Sequence, residues 1–218
     1  MLRTKNVCVV EYDFFNPDDY EALLNDNYTY DALFLGSQGS DGETQKGLTG
    51  FKFINLYNSK GLEEMKRRLS ELVRKYENIP ILGICYGAQV LNIFHGGEIS
   101  GKRDIKKTGY KSIQLDTSSP LFKGFPSYIH AEFNTWYTIT PSALSSIIAV
   151  TKDDNVMAAQ SFPGNHFGLY FHIMHGDDDV IREVVDNFIS IVERKKNYVT
   201  IMKVSALGLL FSLYVMFV

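Results

Sequence analysis

The chain has 218 residues, 45% hydrophobic and 22% charged, with a formal net charge of −3. That length suits one domain of ordinary size with a real core, the balance is that of a globular protein in water, and the charge gives no reason to expect a nucleic-acid partner. Two cysteines, Cys8 and Cys85, make neither a disulfide framework nor a metal-ligand set. No metal or cofactor is therefore expected, and a reducing, cytoplasmic setting is the simpler inference.

The opening "MLRTKNVCVVEYD" has too short an apolar run for a signal peptide. Within it, "NVCVVEY" (6–12) predicts a first buried strand. "NPDDYEALLND" (16–26) starts with Asn-Pro and two Asp, a helix start. "YDALFLGSQGSDG" (30–42) reads as a second strand running into a Gly/Ser loop, and residues 43–58 carry no clear pattern. In "GLEEMKRRLSELVRKYENIP" (61–80), Leu62, Met65, Leu69, Leu72 and Tyr76 recur at helical spacing. Pro80 ends that helix, "ILGIC" is the next strand, and "YGAQVLNIFHGG" a helix stopped by Gly96 and Gly97. The basic run at 101–111 reads as a solvated loop, or as a docking patch for a partner protein or an anionic group.

Beyond residue 108 strands dominate: "GYKSIQLD", "SYIHAEFNTWYTI", "SSIIAVTKDD", "VMAAQSF" and "HFGLYFHI". "DDDVIREVVDNFISIVERKKN" (177–197) is a helix with Val180, Val184, Val185, Phe188 and Val192 on one stripe and charges that suit its dipole. These elements define a domain over 1–197. The remaining 198–218 segment is uncharged after Lys203. About 15 uncharged residues fall short of the ~20 that span a bilayer, but a start at Val199 with Lys203 snorkelling would suffice. The segment therefore reads as a membrane-contacting tail anchor behind the basic flank "ERKKN", or as a last helix docked on the domain.

Strands alternating with helices imply an α/β fold of three layers: a mostly parallel sheet flanked by helices, with antiparallel strands at one edge. Ligands of such sheets bind at the carboxyl ends of the strands. Three loops fall there: Gly36–Gly42, Cys85–Gly87 and His172–Asp178.

The middle loop has the chemistry. A nucleophile on a strand–turn–helix apex needs small residues on both sides, which Gly83 and Gly87 supply. The helix that follows brings its N-terminus to the sulfur and favours thiolate, and the Tyr86 N–H is available to a developing oxyanion. The same pattern also fits a small apolar residue at a strand end. A thiolate nucleophile needs a base. Among His95, His130, His166, His172 and His175, His172 stands at a strand's carboxyl end before a loop and helix; His175 is its rival. His95, ten residues along the helix, is expected to be structural.

These residues resemble a known family. "PILGICYGAQVLNIFHGGEI" is similar to the nucleophile segment of class I glutamine amidotransferases, the Cys-His-Glu triad type with a flavodoxin-like fold. "YDALFLGSQGSDG" resembles their oxyanion-loop strand. "SPLFKGFPS" with the later "HFGLYFH" has the order found in the glutaminase subunit of GMP synthase. The resemblance covers roughly 6–192. It implies hydrolysis of glutamine, or a γ-glutamyl amide, through a thioester on Cys85 with His172 as base. It also implies contact of Gln89 with bound glutamine and an oxyanion hole from the backbone of Tyr86, Gln38 and Gly39. Too few residues follow 197 to form a synthetase domain, so ammonia would pass to an acceptor synthetase subunit or the protein would act alone as a hydrolase.

The departures are specific. Ile173 and Met174 stand where the family motif has Pro-Glu, so the acid that orients the histidine is missing; Asp177 or Asp178 is the candidate replacement, and both are also candidate helix caps. Tyr170 replaces the usual Gln before Phe-His, the substrate-holding segment is reduced to "YIHAEFNTW", and "SQGS" replaces the usual Gly-Gly-Pro-Gly. The short span before "DALFLG" leaves little room for the usual second strand. Two function classes follow: a cysteine-dependent glutaminase, or a catalytically impaired relative that binds a partner. A peptidase of the same superfold is disfavoured because Tyr86 stands where its histidine would be.

Overall fold

The computed structural model describes residues 6–13, 17–25, 27, 30–38, 67–68, 71–100, 107–135, 138–153, 156–171, 178–193 and 198–206. The parallel part of its main sheet comprises β1 (Asn6–Asp13), β11 (Tyr198–Ala206), β2 (Ala32–Gln38), β3 (Ile81–Ile84) and β10 (His166–Leu169). Beyond β10 every pairing is antiparallel, through β9 (Met157–Phe162), β8 (Ser146–Thr151), β5 (Lys107–Leu115) and β6 (Tyr128–Thr135). The nine strands lie in the order β1-β11-β2-β3-β10-β9-β8-β5-β6. This is the α/β architecture that the alternation of elements implies, with its antiparallel strands on one side.

Strand alternation sends side chains to two faces. On β2 and β3, Leu33, Leu35 and Ile81 enter one cluster and Ala32, Phe34 and Leu82 the other. The first cluster is closed by Leu23 of α1 (Pro17–Asn25), by Leu72, Val73 and Tyr76 of α2 (residues 71–76) and by Val90 and Leu91 of α3 (Tyr86–Phe94). The second is closed by α4 (Asp178–Val192), whose Val184, Val185, Phe188 and Ile189 are buried. The apolar stripe expected on α4 is thus its buried side. The "SPLFKGF" segment becomes a 3-10 turn at Pro120–Phe122. Leu121 and Phe122 lie in the core, and Asn187 of α4 donates to Leu121 O and Lys123 O at 3.0 and 2.8 Å.

Two segments depart from expectation. The run "SYIHAEFNTWYTI" is not one strand: β7 (Thr138–Thr140) leaves the main sheet to pair antiparallel with β4 (Glu98–Ser100). The other is the tail. Tyr198–Ala206 is neither a docked helix nor the start of a helical anchor but β11, paired along its length with β1 and on its other side with β2. A short apolar run fits strand and helix equally by pattern; here the gap between two parallel strands decides. The same pairing fills the place left by the short span after β1. Residues 207–218 lie outside the described residues, and no helix among the described ones is long and apolar enough to cross a membrane.

Candidate active site

One residue, Cys85, separates the end of β3 from the start of α3. It takes φ 52° and ψ −104°, a backbone conformation that costs a side-chain-bearing residue about 1–3 kcal/mol. The surrounding structure holds it there. The Cys85 N–H donates to Leu169 O at 2.6 Å, and Cys85 O accepts the first helical bond of α3 from Gln89 N at 3.2 Å. The two flanking glycines are dictated by space. A Cβ on Gly83 would lie 2.5 Å from the carbonyl of Gly87, and one on Gly87 would lie 2.2 Å from Leu35 O. Strand β2 therefore approaches the turn closely enough to exclude a methyl group. The half-buried Cys85 stands at the N-terminus of α3, whose unpaired N–H groups and dipole favour negative charge.

Register shows what lies beside it. Strands β2, β3 and β10 are adjacent and parallel, with Leu35 opposite Gly83 and Leu169 opposite Ile84. Their carboxyl ends therefore share one sheet edge; Gly36–Gln38, expected as loop, still belong to β2. Gln38 is the last residue of β2; Gly39 lies outside the described residues. Tyr86 is the first residue of α3, and Gln89, three residues on, is 7% exposed. Phe171 is the last described residue before His172, and His172, His175 and Asp177 also lie outside the described residues.

The other histidines are placed elsewhere. His130 is exposed on β6. His95 caps the far end of α3, about 13 Å from the elbow by the rise of a nine-residue helix. Its ring stacks on Phe162 with centroids 4.6 Å apart, and its Nε2 lies 3.1 Å from His166 Nδ1. His166 Nε2 lies 3.2 Å from Ile79 O. A carbonyl only accepts, so Nε2 of His166 carries a proton and donates; its Nδ1 then accepts from the His95 Nε2–H. One of the two facing nitrogens must be unprotonated, so at most one of the two rings can carry a charge. Burial, then the neighbouring His166, lowers the His95 pKa to about 4. Burial also lowers that of His166, against the bonds to Ile79 and Glu77 and the Glu77 charge.

This pair is invisible in the sequence, where its members stand 71 residues apart. So is the role of Asn92, which is fully buried. Its Nδ2 donates to Glu98 O and Thr140 O at 3.2 and 3.0 Å, and its Oδ1 accepts from Ser142 N at 3.1 Å. It fastens the β4–β7 ribbon to α3. Among the described residues no group of three or more His, Cys, Asp or Glu could hold a metal ion.

Comparison with known proteins adds to this geometry. Residues 40–173 match the sequence profile described as Glutamine amidotransferase class-I. The chain is 29% identical over 118 residues to a glutamine-hydrolyzing GMP synthase subunit from Ignicoccus hospitalis, covering 53% of this chain and 61% of that protein. It is 31% identical over 114 residues to the glutamine-hydrolyzing GMP synthase of Ruminiclostridium cellulolyticum, covering 51% of this chain but only 22% of that protein. Among solved structures, a Thermoplasma acidophilum protein provisionally assigned as a subunit of GMP synthase superposes with a TM-score of 0.56 at 17% identity. That match covers 76% of this chain and 96% of the other.

Proposed function

The chain belongs to the class-I glutamine amidotransferase family, and on that premise we propose that it is a cysteine-dependent glutaminase releasing ammonia from glutamine or a γ-glutamyl amide. The observation that carries the proposal is Cys85 itself, the residue between strand and helix at φ 52°. A merely structural cysteine would gain nothing from that strain, and glycine would fill the position at less cost. The strained turn, walled by Gly83, Gly87 and Leu35, presents one side chain at the sheet edge where substrates of such folds bind.

In the proposed reaction the Cys85 thiol gives its proton to His172 and attacks the γ-carbonyl carbon. The oxyanion is met by the backbone N–H of Tyr86 and by the loop at Gln38–Gly39. The C–N bond breaks, His172 returns the proton to the leaving nitrogen, and ammonia departs from a γ-glutamyl thioester. His172 then deprotonates a water that attacks the thioester, releasing glutamate and restoring the thiol. Gln89 contacts the amino-acid end of the substrate. Asp177 serves as the acid that holds the imidazole, a role that mainly fixes tautomer and orientation. The reaction needs a reduced thiol, which suits the cytoplasm. The ammonia would go to an acceptor synthetase, as the names of the GMP synthase relatives suggest.

Met174, where the family motif has Glu, favours a second reading: a relative with impaired catalysis that serves as a binding partner. One experiment separates the two. Ammonia release from glutamine is measured for the wild type and for Cys85→Ala, with γ-glutamyl dipeptides run beside it. Cys85-dependent release from either substrate class supports the enzyme; equal background rates in both proteins support the binding partner.

A further inference from the structure

Buried and half-buried polar groups form a chain of hydrogen bonds that begins beside the elbow and runs to the far end of α3. It starts at Tyr170, two residues before His172 and 2% exposed. The Tyr170 hydroxyl donates to Gln160 Oε1 and lies 3.4 Å from Ala88 O in the first turn of α3. A phenol has one proton to give, so the longer contact to Ala88 is the weaker one. Gln160, fully buried, is held at its other end, where Nε2 donates to Ser145 Oγ at 2.5 Å. Ser145 Oγ donates onward to Ser142 O at 2.8 Å. Ser142 reaches the far end of α3: its Oγ donates to His95 O at 2.6 Å and its N–H to Asn92 Oδ1 at 3.1 Å.

The chain therefore spans from the segment that leads into His172 to the far end of the helix that starts at Cys85, with the Tyr170 hydroxyl against the first turn of that helix. Burial pushes the Tyr170 phenol far above its ordinary pKa, so it acts as a fixed donor and not as a base. The backbone ties Leu169 and Tyr170 to their neighbours through Cys85 N to Leu169 O at 2.6 Å and Tyr170 N to Ala158 O at 2.9 Å. Those bonds hold the Leu169–Tyr170 peptide from both sides, and the hydroxyl anchors the side chain of Tyr170 at its tip as well.

We propose that the Tyr170 hydroxyl and the Gln160 carboxamide form a positioning pair that sets the approach of His172 to Cys85. This rests on the reading of those two residues as a catalytic dyad. The tyrosine stands where the family resemblance expects glutamine, and it spans from the end of β10 to the Gln160 side chain on β9. Neither residue touches substrate in this proposal; both act through the histidine.

The test uses the full chain and three variants: Tyr170→Phe, Gln160→Leu and the double variant. Each single change strands one buried polar group, whereas the double change removes both partners and restores stability toward wild type. Two quantities are read besides the thermal midpoint: kcat and KM for glutamine, and the rate of Cys85 alkylation by iodoacetamide against pH. A positioning pair predicts kcat lowered about tenfold in Tyr170→Phe and in the double variant, with KM within about twofold, because misplacing a catalytic group costs rate and not binding. The acidic limb of alkylation moves to higher pH in both. Wild-type kcat and an unmoved limb in the double variant would overturn the proposal. Should the wild type not hydrolyse glutamine at all, the glutaminase reading fails, and the alkylation limb alone decides the role of Tyr170: shifted in Tyr170→Phe it stands, unshifted it falls.

Discussion

The two ends of helix α3 are built on opposite terms. At the N-terminal end, Cys85 is strained at φ 52°, and Gly83 and Gly87 are packed so closely that neither tolerates a methyl group. At the C-terminal end, His95 sits at an ordinary φ of −84°, stacks on Phe162 and hydrogen-bonds His166. Gly96 follows at φ +87° with nothing within 4 Å of a Cβ. The histidine is expected from the sequence to be structural, and its ring is engaged in a stack and a hydrogen bond. Strain held in place by packing is what the nucleophile proposal rests on at the first end; the stack and hydrogen bond of His95 fit a structural second end.

The contrast breaks most sharply at the glycines. Gly87→Ala should cost about 3 kcal/mol or more of folding free energy, because its Cβ meets the Leu35 backbone, which cannot swing away. Urea denaturation measures this, and any folded fraction should lose activity as the elbow opens. A loss below about 1 kcal/mol would mean that the packing does not enforce the strain. Next, Asn92→Ala should cost about 2 kcal/mol by leaving Glu98 O, Thr140 O and Ser142 N without their partner. Catalytic constants per folded molecule should stay near wild type, since this end of the helix has no part in the chemistry.

The histidine pair gives a pH test with a defined sign. The folded His95 pKa is near 4 and the unfolded one near 6.5, so the unfolded chain binds more protons between these values. Its contribution to stability is present above about pH 6.5 and is lost as pH falls toward 4; the lowered His166 works in the same direction. Thermal midpoints should therefore drop through this window more steeply for wild type than for His95→Phe. Parallel curves would show that the pair is not held neutral. The smallest effect belongs to Gly96→Ala, about 1 kcal/mol, from the positive φ alone. Gly87 and Gly96, at the two ends of one helix, should thus differ by about 2 kcal/mol or more.

Much of this organisation is legible in the sequence where a local rule is strong. The apolar block ending in Gly-x-Cys-x-Gly specifies strand, turn and helix because each glycine answers a local steric demand. The α4 stripe is legible because 3.6-residue periodicity needs only one buried face. The rest depends on partners distant in the chain. "YVTIMKVSA" becomes a strand only because β1 and β2 leave a place for it. The break between β6 and β7 follows from the Asn92 anchor, and the pairing of His95 with His166 needs β10 beside α3. Tyr170 stands out in the sequence as a substitution, but its hydrogen-bond partner Gln160 is one that no spacing rule connects to it.

The central claim is that Cys85 is a nucleophile that carries a γ-glutamyl group. Intact-protein mass spectrometry of samples quenched in acid during turnover with glutamine tests it directly. A nucleophilic Cys85 predicts a γ-glutamyl increment that maps to the peptide containing it and is absent from Cys85→Ala. Ammonia release with no such increment on Cys85, or release that persists in Cys85→Ala, would contradict it.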